Sequence, residues 1–300
     1  MEKNRTLVHF LGDAGAGKTT LKESLELSRS YFSSWFNSSR ENAEDTDVED
    51  SSQRTLGLVC SEMPLGSGSS SVVVQECGGM SSFRGLGLLS GSLRCPTSVY
   101  VLVVSLATRK LEQKRQIKYW LRFVQAVGPS PDSILLLAGS RAETLGSVGQ
   151  SYLQKLWEQA REDCTRELLR AGMDATLPTF AGCFAMDCRK SGHPNVARLR
   201  DAIAHADLLF EQGARGWQVS PLSLETSRRM DRWVRGGARL VKWTEFVSGI
   251  RQLCPRASEA TCADIARSLS LEAKVLVTGL KGDRERDRGK AWVALVPQFV

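Results

Sequence analysis

The sequence has no run of apolar residues near the roughly 20 that a membrane-crossing helix needs. Its first apolar stretch, residues 7–11, is too short for a secretory signal, and glycines and a lysine follow it at once. Neither a membrane-spanning nor a secreted protein is expected. The cysteines (Cys60, Cys77, Cys95, Cys164, Cys183, Cys188, Cys254 and Cys262) form no CxxC pair. Zinc sites and disulfide frameworks want tighter or more regular spacing. Small thiols in a reducing compartment are the simpler reading, which places the protein in the cytoplasm. Histidine is scarce, and His193, beside Pro194, has no second histidine near it to suggest a metal. It reads as a loop residue. Aromatic residues are few, at 7%, and none interleave with basic residues along a strand or a recognition helix. The net charge of +7 is scattered and mixed with acids, as in residues 228–232 and 281–290. Such a surface is a solvated one by default, so nucleic acid is not an expected partner.

What is present is ordinary globular material: 42% hydrophobic and 24% charged residues over 300 positions, enough for about two domains. Residues 6–11 form a short apolar, β-branched run. A helix is expected over 18–28, with apolar Leu21, Leu25 and Leu27 among polar partners. Residues 37–53 are acidic and serine-rich, and too polar to offset the entropy of ordering, so a mobile insertion is expected there. Strands follow over 56–63 and 70–75 across a Gly/Ser turn at 66–69. Residues 78–91, rich in Gly and Ser, read as a flexible loop. Residues 98–105 (SVYVLVVS) have the continuous β-branched character of a strand buried on both faces.

The next helix, 111–127, puts Ile117, Trp120, Leu121, Val124 and Val127 on one stripe. A strand at 134–138 and a helix at 152–171 come after it, the helix with Leu153, Leu156, Trp157, Ala160, Cys164 and Leu168 inward and Gly172 past its end. A last strand at 179–186 and a helix at 195–210 complete an alternating pattern. The fold class is therefore α/β, a P-loop doubly wound, mostly parallel sheet, with ligands at the carboxyl ends of its strands.

Gly213, Gly216 and Pro221 mark a boundary, giving domains of 1–214 and 215–300. The second holds three short helices (222–234, 244–253, 258–269) and two strands (274–278, 292–296), a smaller α+β unit of winged-helix kind. Trp233, Trp243 and Trp292 read as core. The close of the chain just after this hairpin reads as a piece of something longer.

The chemistry sits at Gly12, Asp13, Ala14, Gly15, Ala16, Gly17, Lys18 and Thr19, a GxxxxGK(S/T) pattern between a strand and a helix. Its glycines admit an anion at van der Waals distance, and the backbone N–H groups and helix dipole point at phosphate. Lys18 is assigned to the β- and γ-phosphates, Thr19 to Mg²⁺, and Thr20 to the same nucleotide site. Later signals follow the order of a Ras-like GTPase. Thr55 stands where a switch threonine closes over Mg²⁺ and the γ-phosphate. Glu76 and Gly79 occupy the place of DxxG, the acid for Mg²⁺ and the glycine N–H for phosphate. Ser140, Arg141 and Glu143 take the place of the guanine-reading (N/T)(K/H)xD, and residues 186–188 that of the last base-touching loop.

Over nearly its whole length the chain resembles the Roc–COR unit of Roco proteins, and most closely the version in death-associated protein kinases. The stretches that carry this are Cys95-Pro96-Thr97-Ser98-Val99-Tyr100, Tyr119-Trp120-Leu121-Arg122-Phe123, Trp243-Thr244-Glu245-Phe246-Val247 and Val293-Ala294-Leu295-Val296-Pro297-Gln298-Phe299. The resemblance implies a Roc-like GTPase domain and part of a COR domain. GTP or GDP with Mg²⁺ would be the ligands, other domains of a longer chain the partners, and the COR segment a route to a homodimer.

The departures are specific. Met80 replaces the glutamine that orients water, so hydrolysis should be slow; even Ras reaches only about 10⁻⁴ s⁻¹ unaided. Arg84 is a loop arginine that would have to substitute. Arg141 replaces a residue that packs on guanine, and Glu143 is one methylene longer than the usual Asp. A lost charge-assisted pair to the base, about 1.5–3 kcal/mol, would cost ten- to a hundredfold in affinity. Two alternatives therefore stand beside the switch: a pseudo-GTPase interaction module, and a P-loop ATPase or small-molecule kinase.

Overall fold

A computed structural model describes residues 3–4, 6–27, 58–65, 71–78, 95, 97–127, 132–173, 177–212, 218–271, 275–278 and 291–295. The expected insertion at 37–53, the turn at 66–69, the loop beyond Gly78, and Thr55, Gly79, Met80 and Arg84 lie outside the described residues. So do the linker glycines and the charged turn at 281–290.

The chain forms two compact units. The described residues of the first run from Thr6 to Gln212, apart from Cys95, and centre on a six-stranded sheet. Its strands are β2 (Leu7–Leu11), β3 (Leu58–Pro64), β4 (Ser71–Cys77), β5 (Ser98–Ser105), β6 (Ile134–Ser140) and β7 (Thr179–Ala185), in the order β3-β4-β2-β5-β6-β7. A two-residue strand, β1 (Lys3–Asn4), belongs to the other unit. Only β3 runs antiparallel to its neighbour; β4, β2, β5, β6 and β7 are parallel. Every residue of β2, β5 and β6 is buried. Such burial on both faces explains why these strands read as unbroken apolar runs.

Helices cover both faces. On one, α1 (Lys18–Leu27) and α4 (Pro194–Gln212) bury Leu21, Leu25, Val196, Leu199 and Ile203 against Val8, Phe10, Val101 and Leu136. On the other, α2 (Lys110–Val127) packs beside α3 (Gly149–Arg170). The expected stripe on α2 is buried as read, and so is that on α3. Leu27, at the end of α1, is 58% exposed. It stands two residues, about 200° of helix rotation, from buried Leu25, so it faces away from the sheet.

The second unit begins with β8 (Gln218–Val219), which pairs antiparallel with β1. Helix α5 (Pro221–Arg235) starts at Ser220, whose Oγ accepts the Ser223 N–H at 3.1 Å, with proline at the first helical position. Then follow β9 (Leu240–Lys242), α6 (Trp243–Leu253), α7 (Glu259–Leu271), β10 (Val275–Thr278) and β11 (Trp292–Leu295). The three strands pair antiparallel in the order β10-β11-β9 around a core of Trp243, Phe246, Ile250, Ile265, Leu269 and Val293. Strand β9 was not foreseen, because three residues with one buried valine carry no readable period. Trp292 is also corrected from core to 41% exposed. It lies on the outward face of β11, directly opposite Lys242, whose ammonium sits 6.0 Å from the ring centre.

Among the described residues no helix is long and apolar enough to cross a membrane. Among the described cysteines, Cys60, Cys95, Cys164, Cys183, Cys188 and Cys262 are buried.

Candidate functional site

Strand order reverses at β2, which has β4 on one side and β5 on the other. The crevice at the carboxyl ends of these strands is where a doubly wound sheet receives its ligand. There β2 delivers the chain into the loop 12–17, and α1 begins at Lys18.

Two glycines of the loop are required by geometry. A Cβ on Gly12 would stand 2.4 Å from the Val103 carbonyl oxygen on β5. Gly17 has a φ of +90°, in the left-handed region that disfavours side chains, and a Cβ there would press on Ser140 at 3.3 Å. The loop is thus wedged between β5 and β6 by main-chain contact. Its Ala14 and Gly15 are exposed while Ala16 is buried.

Lys18 is 5% exposed, and its Nζ donates to the Gly12 and Asp13 carbonyls, 3.0 Å each. Its ammonium therefore lies across the loop it would share with phosphate. The Asp13 carboxylate turns to α2, where Oδ1 accepts the Trp120 indole N–H at 3.0 Å. Thr20, the third residue of α1, is half-buried.

Next to Lys18, the Thr19 hydroxyl donates to Glu76 Oε1. Glu76 is the penultimate residue of β4, paired in register with Phe10, and 2% exposed. Two hard oxygens thus meet where the P-loop joins its helix. This suits Mg²⁺, which takes one or two protein oxygens and keeps the rest of its octahedron for water and phosphate. Among the described residues no group of three or more His, Cys, Asp or Glu could hold a metal. Nearby, burial pushes the Glu23 carboxyl above its usual range, Lys22 opposes this, and Glu76 adds to it.

On the other side stands the expected base site. Ser140 ends β6, 1% exposed, and its hydroxyl donates to the Ala16 carbonyl at 2.7 Å. It fastens β6 to the P-loop. Arg141 is exposed and left-handed, with φ 57° and ψ 38°. Glu143 is the middle residue of the short 3₁₀ turn Ala142–Thr144 beyond, and there it meets a residue that sequence reasoning missed: Arg189 Nη2 lies 3.4 Å from Glu143 Oε1. The same guanidinium reaches Asp187 Oδ1 at 3.3 Å through Nε, and its backbone N–H donates to that oxygen at 3.1 Å. Arg189 follows the Met186-Asp187-Cys188 segment directly, but nothing periodic marks it. That segment is stitched to its neighbours: Met186 N–H to Gly139 O at 2.8 Å, Ala142 N–H to Met186 O at 3.1 Å, and Ser24 Oγ to Cys188 O. Burial first, then Asp187 and Glu143, push the Cys188 thiol up to about 12, so it stays protonated.

Sequence reasoning also missed Arg200. It is 6% exposed on α4 and donates to Leu25 O at 2.5 Å and Pro64 O at 2.6 Å. It ties the end of α1 to the end of β3. Burial holds this guanidinium below its ordinary value.

Fold and loop together define a doubly wound α/β sheet with a P-loop motif between its strand β2 and helix α1. Among solved structures, the chain resembles the Methanosarcina barkeri Roco2 RocCORdC structure bound to GDP, at a TM-score of 0.55 and 14% identity, over 94% of this chain and 71% of that one. That likeness shows a Roc/GTPase-like fold. The mammalian SRP receptor (TM-score 0.44, 14% identity, 67% and 99% covered) and a Sulfolobus solfataricus GTP-binding protein with GDP (0.42, 11%, 68% and 53%) are more distant. The sequence matches no protein-family model and no curated protein sequence.

Proposed function

We propose that the chain is the guanine-nucleotide-binding switch of a Roco-type signalling protein, with 1–214 as its Roc-like domain and 215–300 as part of a COR-like domain. The observation that carries this is the meeting of Lys18, Thr19 and Glu76 at the P-loop. The lysine is assigned to phosphate; Thr19 and Glu76, joined by Thr55, are assigned to Mg²⁺, Glu76 acting through water. The Gly79 N–H serves the γ-phosphate, and Ser140, Arg141 and Glu143 border the base. The GDP held by the Roco2 structure supports the choice of ligand. Assignment to the death-associated-protein-kinase branch rests on the four sequence stretches quoted above. Other domains of a longer chain, and a second copy through 215–300, are the proposed partners.

Hydrolysis should be slow, because Met80 supplies no group that orients water. The protein's part in the reaction is to bind and place the phosphates and to bring Thr19 and Glu76 to the metal.

One observation favours a second reading, an interaction module with loose base preference. Glu143 already pairs with Arg189, so guanine would have to compete for its carboxylate.

The test is equilibrium binding of fluorescent GTP, GDP and ATP to purified protein, with and without Mg²⁺. The switch reading expects Mg²⁺-dependent GTP binding, tight GDP binding and at least about tenfold weaker ATP, the worth of one base-reading contact. Equal affinities would favour the module, and no binding would overturn the switch and leave the module, which needs no nucleotide.

A further inference from the structure

We propose that Trp120 is a positioning residue for the P-loop: its indole N–H holds the Asp13 carboxylate out of the phosphate site. This rests on the nucleotide-binding reading of that loop.

Asp13 puts a negative charge in the second position of a loop whose task is to bind an anion. The loop's backbone turns its N–H groups inward, and a carboxylate free to swing there would repel the phosphates and compete for Lys18. The structure shows a restraint against this. Asp13 Oδ1 accepts the Trp120 Nε1–H at 3.0 Å across 107 positions of sequence. Trp120 is 2% exposed, and its ring is locked edge-on between Tyr119 (5.3 Å) and Phe123 (5.4 Å). An indole nitrogen buried so deeply wants an acceptor, and Asp13 supplies it.

The main chain of the same residue is fixed as well. Its carbonyl accepts from Lys18 Nζ at 3.0 Å and from the Ala16 N–H at 3.2 Å. With backbone and side chain both tied, the carboxylate stays on the side of α2, where it borders a cleft with Lys114, Arg115 and Lys118. Those cations already pair with Asp163, Glu112 and Glu167, so the group that holds the negative charge away from the ligand is the indole N–H. Because the repulsion grows with ligand charge, its release should cost GTP more than GDP.

The experiment compares N-methylanthraniloyl-GTP and N-methylanthraniloyl-GDP binding, with Mg²⁺, across five proteins. Trp120→Phe keeps the ring but removes the N–H. Asp13→Asn keeps an acceptor but removes the charge. Trp120→Phe/Asp13→Asn combines them. Asp13→Glu, with an intact core, overshoots the indole by one methylene and leaves the charge at large. The parent is the fifth. The expected result is about tenfold weaker GTP binding for Trp120→Phe and for Asp13→Glu, with a smaller loss for GDP. The double variant should bind GTP within about twofold of Asp13→Asn, because no charge remains to be restrained.

A merely structural indole gives a different pattern: the double variant stays as weak as Trp120→Phe. That result overturns the proposal, as does parent-like GTP binding by Trp120→Phe. If Trp120→Phe fails to fold, parent-like binding by Asp13→Glu overturns it. A parent that binds no nucleotide removes the underlying reading and this inference together.

Discussion

At the scale of single residues, the P-loop lysine and a buried histidine divide between them the two things a side chain can do here. Lys18 costs stability to bury, and under the nucleotide-binding reading this is offset by its contacts to phosphate. Its bonds in the free protein include those to the Gly12 and Asp13 carbonyls, charge-assisted ones whose gain is offset by the cost of burying the ammonium, so Lys18→Ala should change stability little. Thermal denaturation should move by only a few degrees. Mg²⁺–GTP affinity should fall at least about a hundredfold, the worth of charge-assisted contacts to phosphate. Equal binding by mutant and parent would show that the loop is not the phosphate site. His9 is the opposite case, with no part in the site. It is fully buried on β2, stacked on Tyr100 at 5.2 Å and bonded through Nε2 to Ser98 Oγ at 3.1 Å. Burial lowers its pKa from 6.5 to about 3, against a smaller opposing hydrogen bond from Gln75. The unfolded chain takes up this proton below about pH 6.5 and the folded chain does not, so stability is lost as pH falls from 6.5 towards 3. By pH 5 the loss is about 2 kcal/mol. Urea denaturation at pH 7 and pH 5 checks it, and His9→Gln should flatten that slope; an unchanged slope would assign the effect elsewhere. Of the residues at the site, Lys18 and Thr19 were legible because a motif fixes their spacing. Arg189 and Trp120 act through contacts across 46 and 107 positions, which no local pattern carries.

At the scale of elements, strand β5 and helices α2 and α3 were read closely because their burial follows a period. Eight buried residues in a row, or a stripe every three to four, leave a mark in the sequence. Elements too short for a period were missed or misplaced. β9, with three residues, is the case in point. Junctions between elements are where the sequence gives least and sterics most. Gly12 joins β2 to the loop, and any Cβ there meets backbone on β5, not a side chain that can move aside. Gly12→Ala should therefore destabilise the first unit by about 3 kcal/mol, at the upper end of overpacking costs, and should weaken nucleotide binding in parallel. Chemical denaturation followed by tryptophan fluorescence measures the first effect. A loss below about 1 kcal/mol would mean that β2 can slide along β5 without penalty.

At the scale of the whole molecule, the sequence changes near residue 215 from alternating strands and helices to a short helical set, with glycines and a proline beside the change, while the compact units divide less simply, residues 1–5 and 85–95 belonging with 217–300. Regulation is not legible in this way, since it lies in how one unit answers the ligand of the other. A switch requires that GTP and GDP bind two conformations unequally. The sequence at 76–91, with its many glycines and serines, allows large dihedral changes at low cost. Under the switch reading, Mg²⁺ with a non-hydrolysable GTP analogue should protect residues 76–95 from amide exchange more than Mg²⁺–GDP does. Protection should also change across 221–253, which spans α5, β9 and α6. The first difference reports a response at the phosphates, and the second reports its arrival in the other unit. A protein that responds only at 76–95 binds nucleotide as a local event, and the COR-like unit then serves assembly alone. Identical exchange with GTP analogue, with GDP and without ligand, at saturation, would leave no differential free energy between states to drive a switch. The chain would then be a static nucleotide holder, and the interaction-module reading would take the place of the switch.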